Sequence, residues 1–271
     1  EYITISLPLI LGQSIAVVDE QLFRVFGSFL TAGSIATFRY ARRIALLPVG
    51  IIAQAVGVAS YPLLSRLFQN NEIDELVKLV KKQLSYLFLI GSSLMIISII
   101  NSEYLIGIIY ERGAFTNEDT IRVSAVFTII SLAIIPWSIN QILTRSYYVQ
   151  QRFWFPVVTG TFVTMLSSVV LLNIAKDAES YALVIIVSLY VYCLTLLSSL
   201  KFNSKSVLNK KLMFEFFKIS LMILVVYLLC EIIISLTGIL NLIVSLLLTV
   251  VVFFVSLSLL NFEYINIAKR R

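Results

Sequence analysis

The feature that most limits what this chain can fold into is a series of long apolar runs, each long enough to cross a bilayer. A spanning helix needs about 20 predominantly apolar residues. Eight such runs read along the 271 residues, at about 4–30, 34–65, 84–109, 119–147, 154–175, 180–200, 212–236 and 239–261. The runs are too long for strands and lack the two-residue alternation of a membrane barrel. Composition points the same way. Hydrophobic residues make up 59% of the chain, charged residues 13%, and the mean hydropathy is +0.96. A soluble domain carries about 25% charge, and this chain has too few polar groups to clothe a water-facing surface. The expected fold class is all-α, a polytopic membrane helix bundle with eight transmembrane helices.

The basic residues give the bundle a direction. Loops on one side hold Arg66, Lys78, Lys81, Lys82, Arg145, Arg152, Lys201, Lys205, Lys210, Lys211, Lys218, Lys269, Arg270 and Arg271, which is 14 of the 21 basic residues. The other side holds Arg39, Arg42, Arg43, Arg112, Arg122 and Lys176. By the positive-inside rule the first side is cytoplasmic. Both ends then lie inside, as an even number of spans requires. The net charge of +6 is explained by these short loops, so nucleic acid is not expected as a partner. The first residue is Glu1 and no basic leader precedes the first run, so the chain reads as a fragment or the second half of something longer.

Two connections have texture. Between the second and third runs, Asn71 and Asp74 are spaced as an N-cap and its partner. Ile73, Leu76, Val77, Val80 and Leu84 share one face, with Lys78, Lys81 and Lys82 off it. This predicts a surface helix over Gln69–Leu84, either lying along the membrane or solvated without lipid contact. The loop Tyr110–Thr120 has a turn at Gly113 and a capping box, Thr116 with Asp119, that starts the fourth run. The last two runs follow a basic linker, Lys201–Lys211. They are nearly free of charge, which suggests a hairpin (202–271) appended to a six-helix lobe (1–201).

Charged groups at membrane depth are costly and face a cavity or a partner. On the first run Gln13, Glu20 and Arg24 share a face beside Asp19, and Glu20 with Arg24 is also spaced as a self-neutralising pair. On the second run Arg39, Arg43, Gly50, Gln54, Gly57 and Tyr61 fall within about 60° of one another. Two arginines one turn apart repel, so an anion between them is stabilising, and guanidinium forks match phosphate oxygens. Interfacial snorkelling of both side chains is the alternative reading. Asn140, Gln141 and Arg145 sit near the cytoplasmic end of the fourth run, beside Pro136 and Trp137, and Tyr147, Tyr148 and Phe153–Phe155 read as an aromatic belt at that interface. Cys193 and Cys230 lie inside apolar runs and read as packing residues. With no histidine and two cysteines, neither a Cys/His metal site nor a disulfide framework is expected. No catalytic constellation is present, so no enzyme activity and no cofactor are expected.

The stretch Phe26–Gly50, the order Ser60–Arg66 followed by an amphipathic segment, and Tyr110–Thr116 (Tyr-Glu-Arg-Gly-Ala-Phe-Thr) resemble the MurJ (MviN) family of bacterial lipid II flippases, over about residues 5–160. The resemblance implies a member of the multidrug/oligosaccharidyl-lipid/polysaccharide exporter superfamily in the bacterial cytoplasmic membrane. These eight helices would be the seventh to fourteenth of the family's set. It implies two lobes rocking about a central cationic cavity that holds a lipid-linked oligosaccharide pyrophosphate, with membrane lipids and a first, N-terminal lobe as partners, and a groove for the lipid tail in the last two helices. Arg43 aligns with the family's cavity arginine in its Tyr-Ala-x-Arg segment. Arg42 stands at the x position, where an acidic residue is common. Asp19 aligns with an acidic residue implicated in sodium binding in some members. The polar partners expected on the fifth helix stand here as Ser167 and Leu171. Arg43, Arg39, Arg42, Arg24 and Gln54 are the expected substrate-binding set. The rival readings are an exporter of another polysaccharide-lipid or a drug, and a membrane fragment that does not transport.

Overall fold

The computed structural model describes residues 30–237, together with Leu247 and Val250. The first and eighth runs lie outside the described residues. The other six each correspond to a helix or a broken helix. We label them α1 (Ser34–Pro48), continued through a wide turn (Val49–Ala53) into α2 (Gln54–Gln69); α3 (Ile73–Ile100); α4 (Ser102–Tyr110); α5 (Asn117–Ser131); α6 (Ile134–Val149); α7 (Trp154–Ile174); α8 (Ala178–Ser199); and α9 (Lys210–Thr237). Among the described residues five stretches are long and apolar enough to span a membrane, and the bent pair α5–α6, taken as one span, makes a sixth.

Prolines set the breaks. Pro48 has no N–H, so the helical ladder loses a rung at Ile44 and re-forms through one wider turn, in which the Gln54 N–H reaches the Val49 carbonyl. Pro136 breaks the expected fourth span through a tight turn instead, in which the Leu132 and Ala133 N–H groups donate to the Ile129 and Ile130 carbonyls. The chain bends by 41° between α5 and α6. The carbonyl Pro136 leaves unused, that of Leu132, accepts a hydrogen bond from the Tyr190 hydroxyl at 3.0 Å. Gly113 adopts φ +64° at the predicted turn. The Thr116–Asp119 capping box is formed, with Thr116 N–H donating to Asp119 Oδ2 at 3.0 Å and Asp119 N–H to Thr116 Oγ1 at 3.4 Å. A second box, Asp177 with Ser180, starts α8. Hydrogen bonds from the Ser180 N–H (2.8 Å) and hydroxyl (2.7 Å) hold the Asp177 carboxyl below the usual carboxylate range.

Three expectations are corrected. The separate surface helix over Gln69–Leu84 does not exist: those residues are the first half of α3, which runs unbroken to Ile100. Its apolar face, Ile73, Leu76, Val77, Val80 and Leu84, is buried by protein, against a cluster that includes Leu64, Phe202 and Leu212. Burial on the bundle wins over lipid contact because the two offer similar apolar surroundings, and only the bundle adds close packing. The cap assigned to Asn71 is also not formed. Asn71 sits at φ +59°, α3 begins after Glu72, and Asp74 instead accepts from Lys205 Nζ at 2.6 Å. Finally, the all-α reading misses a two-residue hairpin in the basic linker, β1 (Lys201–Phe202) with β2 (Lys205–Ser206). It turns on Asn203 and Ser204, both at positive φ.

Two buried clusters divide the bundle along its length. One, around Leu64, Leu84, Ile142, Leu196 and Phe202, lies toward the hairpin. The other, around Phe38, Val126, Phe127, Tyr181 and Ile186, lies toward the 101–117 loop. The loops sort to the two ends as the alternation of spans requires. Thr31 N–H donates to the Lys176 carbonyl (3.3 Å) at one end, and Asn203 donates to Asn71 (3.3 Å) at the other. The helix α7 packs mainly on α8 and exposes Val158, Phe162, Met165 and Val169, as a lipid-facing helix should. The helix α9 docks on α3 through Leu89, Ile96, Ile219 and Ile223, with Phe88 stacked on Phe216 at 4.5 Å.

Candidate functional site

The candidate site is one face of the α1–α2 helix. This helix has 36 residues, so it is about 54 Å long. Arg39 and Arg43 are exposed on α1, one turn apart, and Arg42 is half-buried beside them. Farther along, Gly50, Gln54 and Tyr61 are exposed. Among the described residues no carboxylate pairs with Arg39, Arg42 or Arg43. The opposite face is closed. Phe38, Ala41 and Ala45 are almost fully buried against α5 and α8.

The wide turn alters the predicted stripe. At a uniform 100° per residue, Gly57 points with Arg39. One extra residue in a turn rotates everything beyond it by about that same angle. Gly57 therefore faces inward and is buried, while Val58 and Tyr61 take the open side. Such wide turns are frequent at functional sites. Here it lies between the arginines and Gln54.

The loop with the Glu-Arg-Gly-Ala-Phe-Thr segment braces this face. Tyr40, Tyr110 and Phe115 form a triangle of rings with centroids 4.8, 5.6 and 5.7 Å apart. The Tyr110 hydroxyl donates to the Tyr40 carbonyl at 3.4 Å and feels the charge of Arg43. Edge-on aromatic contacts of this kind contribute about 0.5–1.5 kcal/mol each beyond area burial. The loop thus fixes the turn of α1 from which Arg39 and Arg43 project.

A fourth guanidinium, Arg145, expected near the aromatic belt at the cytoplasmic interface, packs inside the bundle. Arg145 on α6 lies over Gly57, where a Cβ would meet its Nη1 at 2.6 Å and its Cζ at 2.7 Å. Its Nη1 donates to the carbonyl and to Oε1 of Gln141, both at 2.7 Å. One turn from Gly57, Ser60 accepts from Gln83 Nε2 at 2.7 Å and donates to the Val56 carbonyl at 2.5 Å. The α2–α3–α6 contact is therefore a polar seam. Tyr147, assigned to the belt, is fully buried and donates to the Leu196 carbonyl at 2.8 Å. Trp154 is exposed, as a belt residue should be. The signal for the seam was Gly57 itself, whose lack of a side chain is explained by a group lying on its backbone.

The remaining predicted residues divide plainly. Arg24 and Asp19 lie outside the described residues. Ser167 is half-buried, and its hydroxyl donates to the Thr164 carbonyl of its own helix at 2.9 Å. Leu171 is buried in the second core cluster.

A cationic face on a membrane helix, unpaired among the described residues and braced by that loop, is the arrangement to compare with known proteins. The sequence profile of the family described as lipid II flippase MurJ matches residues 1–259. The chain belongs to the MurJ family. It is 31% identical over 144 residues to a probable lipid II flippase MurJ of Helicobacter pylori, a match spanning 52% of this chain and 31% of that protein. It is 29% identical over 164 residues to the one from Buchnera aphidicola subsp. Baizongia pistaciae, covering 60% of this chain and 32% of that protein. A solved lipid II flippase MurJ in an inward closed conformation matches 93% of this chain and 52% of its own, at a TM-score of 0.73 and 23% identity. At that identity the likeness shows the fold. The chain spans about half the length of that solved MurJ, and its matched segments are about a third of the curated relatives.

Proposed function

We propose that this chain is the C-terminal half of a flippase that moves lipid II, the lipid-linked peptidoglycan precursor, across the bacterial cytoplasmic membrane. The observation that carries the reading is the exposed Arg39–Arg43 pair on the α1–α2 face, in a chain of the MurJ family. Two cations one turn apart suit a pyrophosphate, whose oxygens accept from both guanidinium forks. Gln54, about 16 Å along the helix from Arg43, is placed to bind polar groups farther along the headgroup. A flippase makes and breaks no covalent bond, so the protein's work is differential binding in two conformations.

In this reading residues 1–201 form the second lobe of a two-lobe transporter and 202–271 an appended hairpin, with both ends cytoplasmic. The missing wall of the cavity is the N-terminal lobe of the longer protein, and Arg24 completes the cationic set. The loop end of the bundle is then the outer one, and the hairpin end, rich in lysine, the inner one. The Arg145–Gly57 seam closes the inner half of the α2–α6 contact within this lobe. Membrane potential contributes about 2.3 kcal/mol per translocated charge per 100 mV.

The test is lipid II translocation by the full-length protein in vesicles, with Arg43→Ala. Charged hydrogen bonds contribute about 1.5–3 kcal/mol, so translocation should fall by roughly 10- to 100-fold. Unchanged translocation would overturn the role of Arg43. The 271 residues alone should not translocate, because half of a two-lobe cavity has no opposing wall. Activity of the isolated chain would refute that.

A further inference from the structure

Away from the proposed cavity, the α3–α9 seam concentrates positive charge at the hairpin end of the spans. Both helices run away from the hairpin, so they are parallel here. Ser85 on α3 donates to Glu215 Oε2 on α9 at 2.8 Å. One turn nearer the hairpin on each helix stand Lys81 and Lys211. Lys81 is half-buried and within electrostatic reach of both Lys211 and Glu215. The same stretches of the two helices also carry Lys78 and Lys82 on α3, and Lys210 and Lys218 on α9. The Lys218 ammonium lies 4.5 Å from the centre of the Phe214 ring, and that of Lys82 lies 5.7 Å from the Tyr86 ring. Asp74 is engaged by Lys205, and Glu215 already accepts from Ser85.

We propose that this seam binds the phosphate of an anionic phospholipid from the leaflet at the hairpin end. Lys81 and Lys211 repel each other within reach of one carboxylate, Glu215, that already accepts from Ser85, and a phosphate oxygen placed beside the two lysines relieves the repulsion. Basic pockets between spans at a membrane face are suited to lipid headgroups. The apolar wall next to the lysines argues for a lipid over a soluble phosphate or an acidic protein. Phe214, Phe217 and Leu221, at successive turns of α9, are all more than half exposed and lead from the lysines into the bilayer. Acyl chains lie along them while the headgroup stays at the seam. This assignment does not rest on lipid II transport and stands if that reading fails.

The experiment reconstitutes the chain in bilayers of equal phosphatidylcholine and phosphatidylglycerol, extracts it in mild detergent, and counts retained lipids by mass spectrometry. Phosphatidylglycerol should be enriched by roughly tenfold over phosphatidylcholine, on the scale of one or two lysine contacts. The double substitution Lys81→Gln/Lys211→Gln should remove the enrichment. Lys201→Gln, an exposed lysine at the same end, should leave it intact. Should the double variant not fold, Lys211→Gln alone, in the exposed first turn of α9, should lower the enrichment several-fold. Retained enrichment in the lysine variants, equal loss in Lys201→Gln, or complete displacement of the lipid by millimolar inorganic phosphate would each overturn the proposal.

Discussion

Arg43 and Arg145 carry the same side chain in one bundle, yet their surroundings are opposite. Arg43 projects from the open face of α1, with no carboxylate partner among the described residues. Arg145 is folded onto the backbone of Gly57 and tied twice to Gln141. Arg145 spends its Nη1 on Gln141 of its own helix and lays its guanidinium on Gly57 of α2, so its role is packing between the two helices. Arg43 projects from the turn braced by the Tyr40–Tyr110–Phe115 triangle, and in the proposed function its guanidinium is the group that meets the anion. Residue type alone does not separate a binding cation from a structural one. The separation comes from who occupies its donors.

If the sealed half of the bundle is structural and the open face functional, substitutions should divide the same way. The largest loss of stability is expected at Tyr147, which is fully buried, stacked on Phe155 at 5.0 Å and bonded to Leu196. Tyr147→Ala should cost about 3–5 kcal/mol, the range for removing a buried aromatic. Denaturation of the purified protein in detergent checks this, and a near-neutral result would break the contrast. Gly57→Val should cost about 1–3 kcal/mol by overpacking. The flexible Arg145 guanidinium must move, losing both bonds to Gln141, so adding Arg145→Ala to Gly57→Val should recover part of the loss. Tyr190→Phe should cost about 1 kcal/mol, because the Leu132 carbonyl at the α5–α6 bend loses its donor. Arg43→Ala should shift stability by less than about 0.5 kcal/mol, as exposed positions do, even while translocation falls.

Much of this was legible before the structure. Run length set the six described spans, because a bilayer fixes the length of any helix that crosses it. The spacing of Thr116 and Asp119 set the start of α5, because a capping box is a local contact. What escaped depends on neighbours far along the chain. The apolar face Ile73–Leu84 is equally suited to lipid and to protein, and only packing against Leu64 and Phe202 decides between them. Pro48 announces a break, but not whether the chain kinks or inserts a wide turn. That choice moved Gly57 from the open stripe into the seam. Arg145 looked interfacial because its partner, the bare backbone at Gly57, leaves no pattern on α6. Within the candidate site, Arg39, Arg43 and Gln54 are all exposed, as a cavity-lining face requires. The bracing triangle was hidden, since Tyr40 and Tyr110 are seventy residues apart.

The most direct test of the open face is its contact with water in the membrane. In the full-length protein with Cys193 and Cys230 replaced, single cysteines at 43, 54 and 58 are exposed to a charged thiol reagent, alongside single cysteines at 53 and 60. Labelling should be fast at 43, 54 and 58, slow at 53 and 60, and slower at 58 when lipid II is added. No labelling at 43, or labelling at 58 that lipid II leaves unchanged, would contradict a wet cationic wall that holds the substrate.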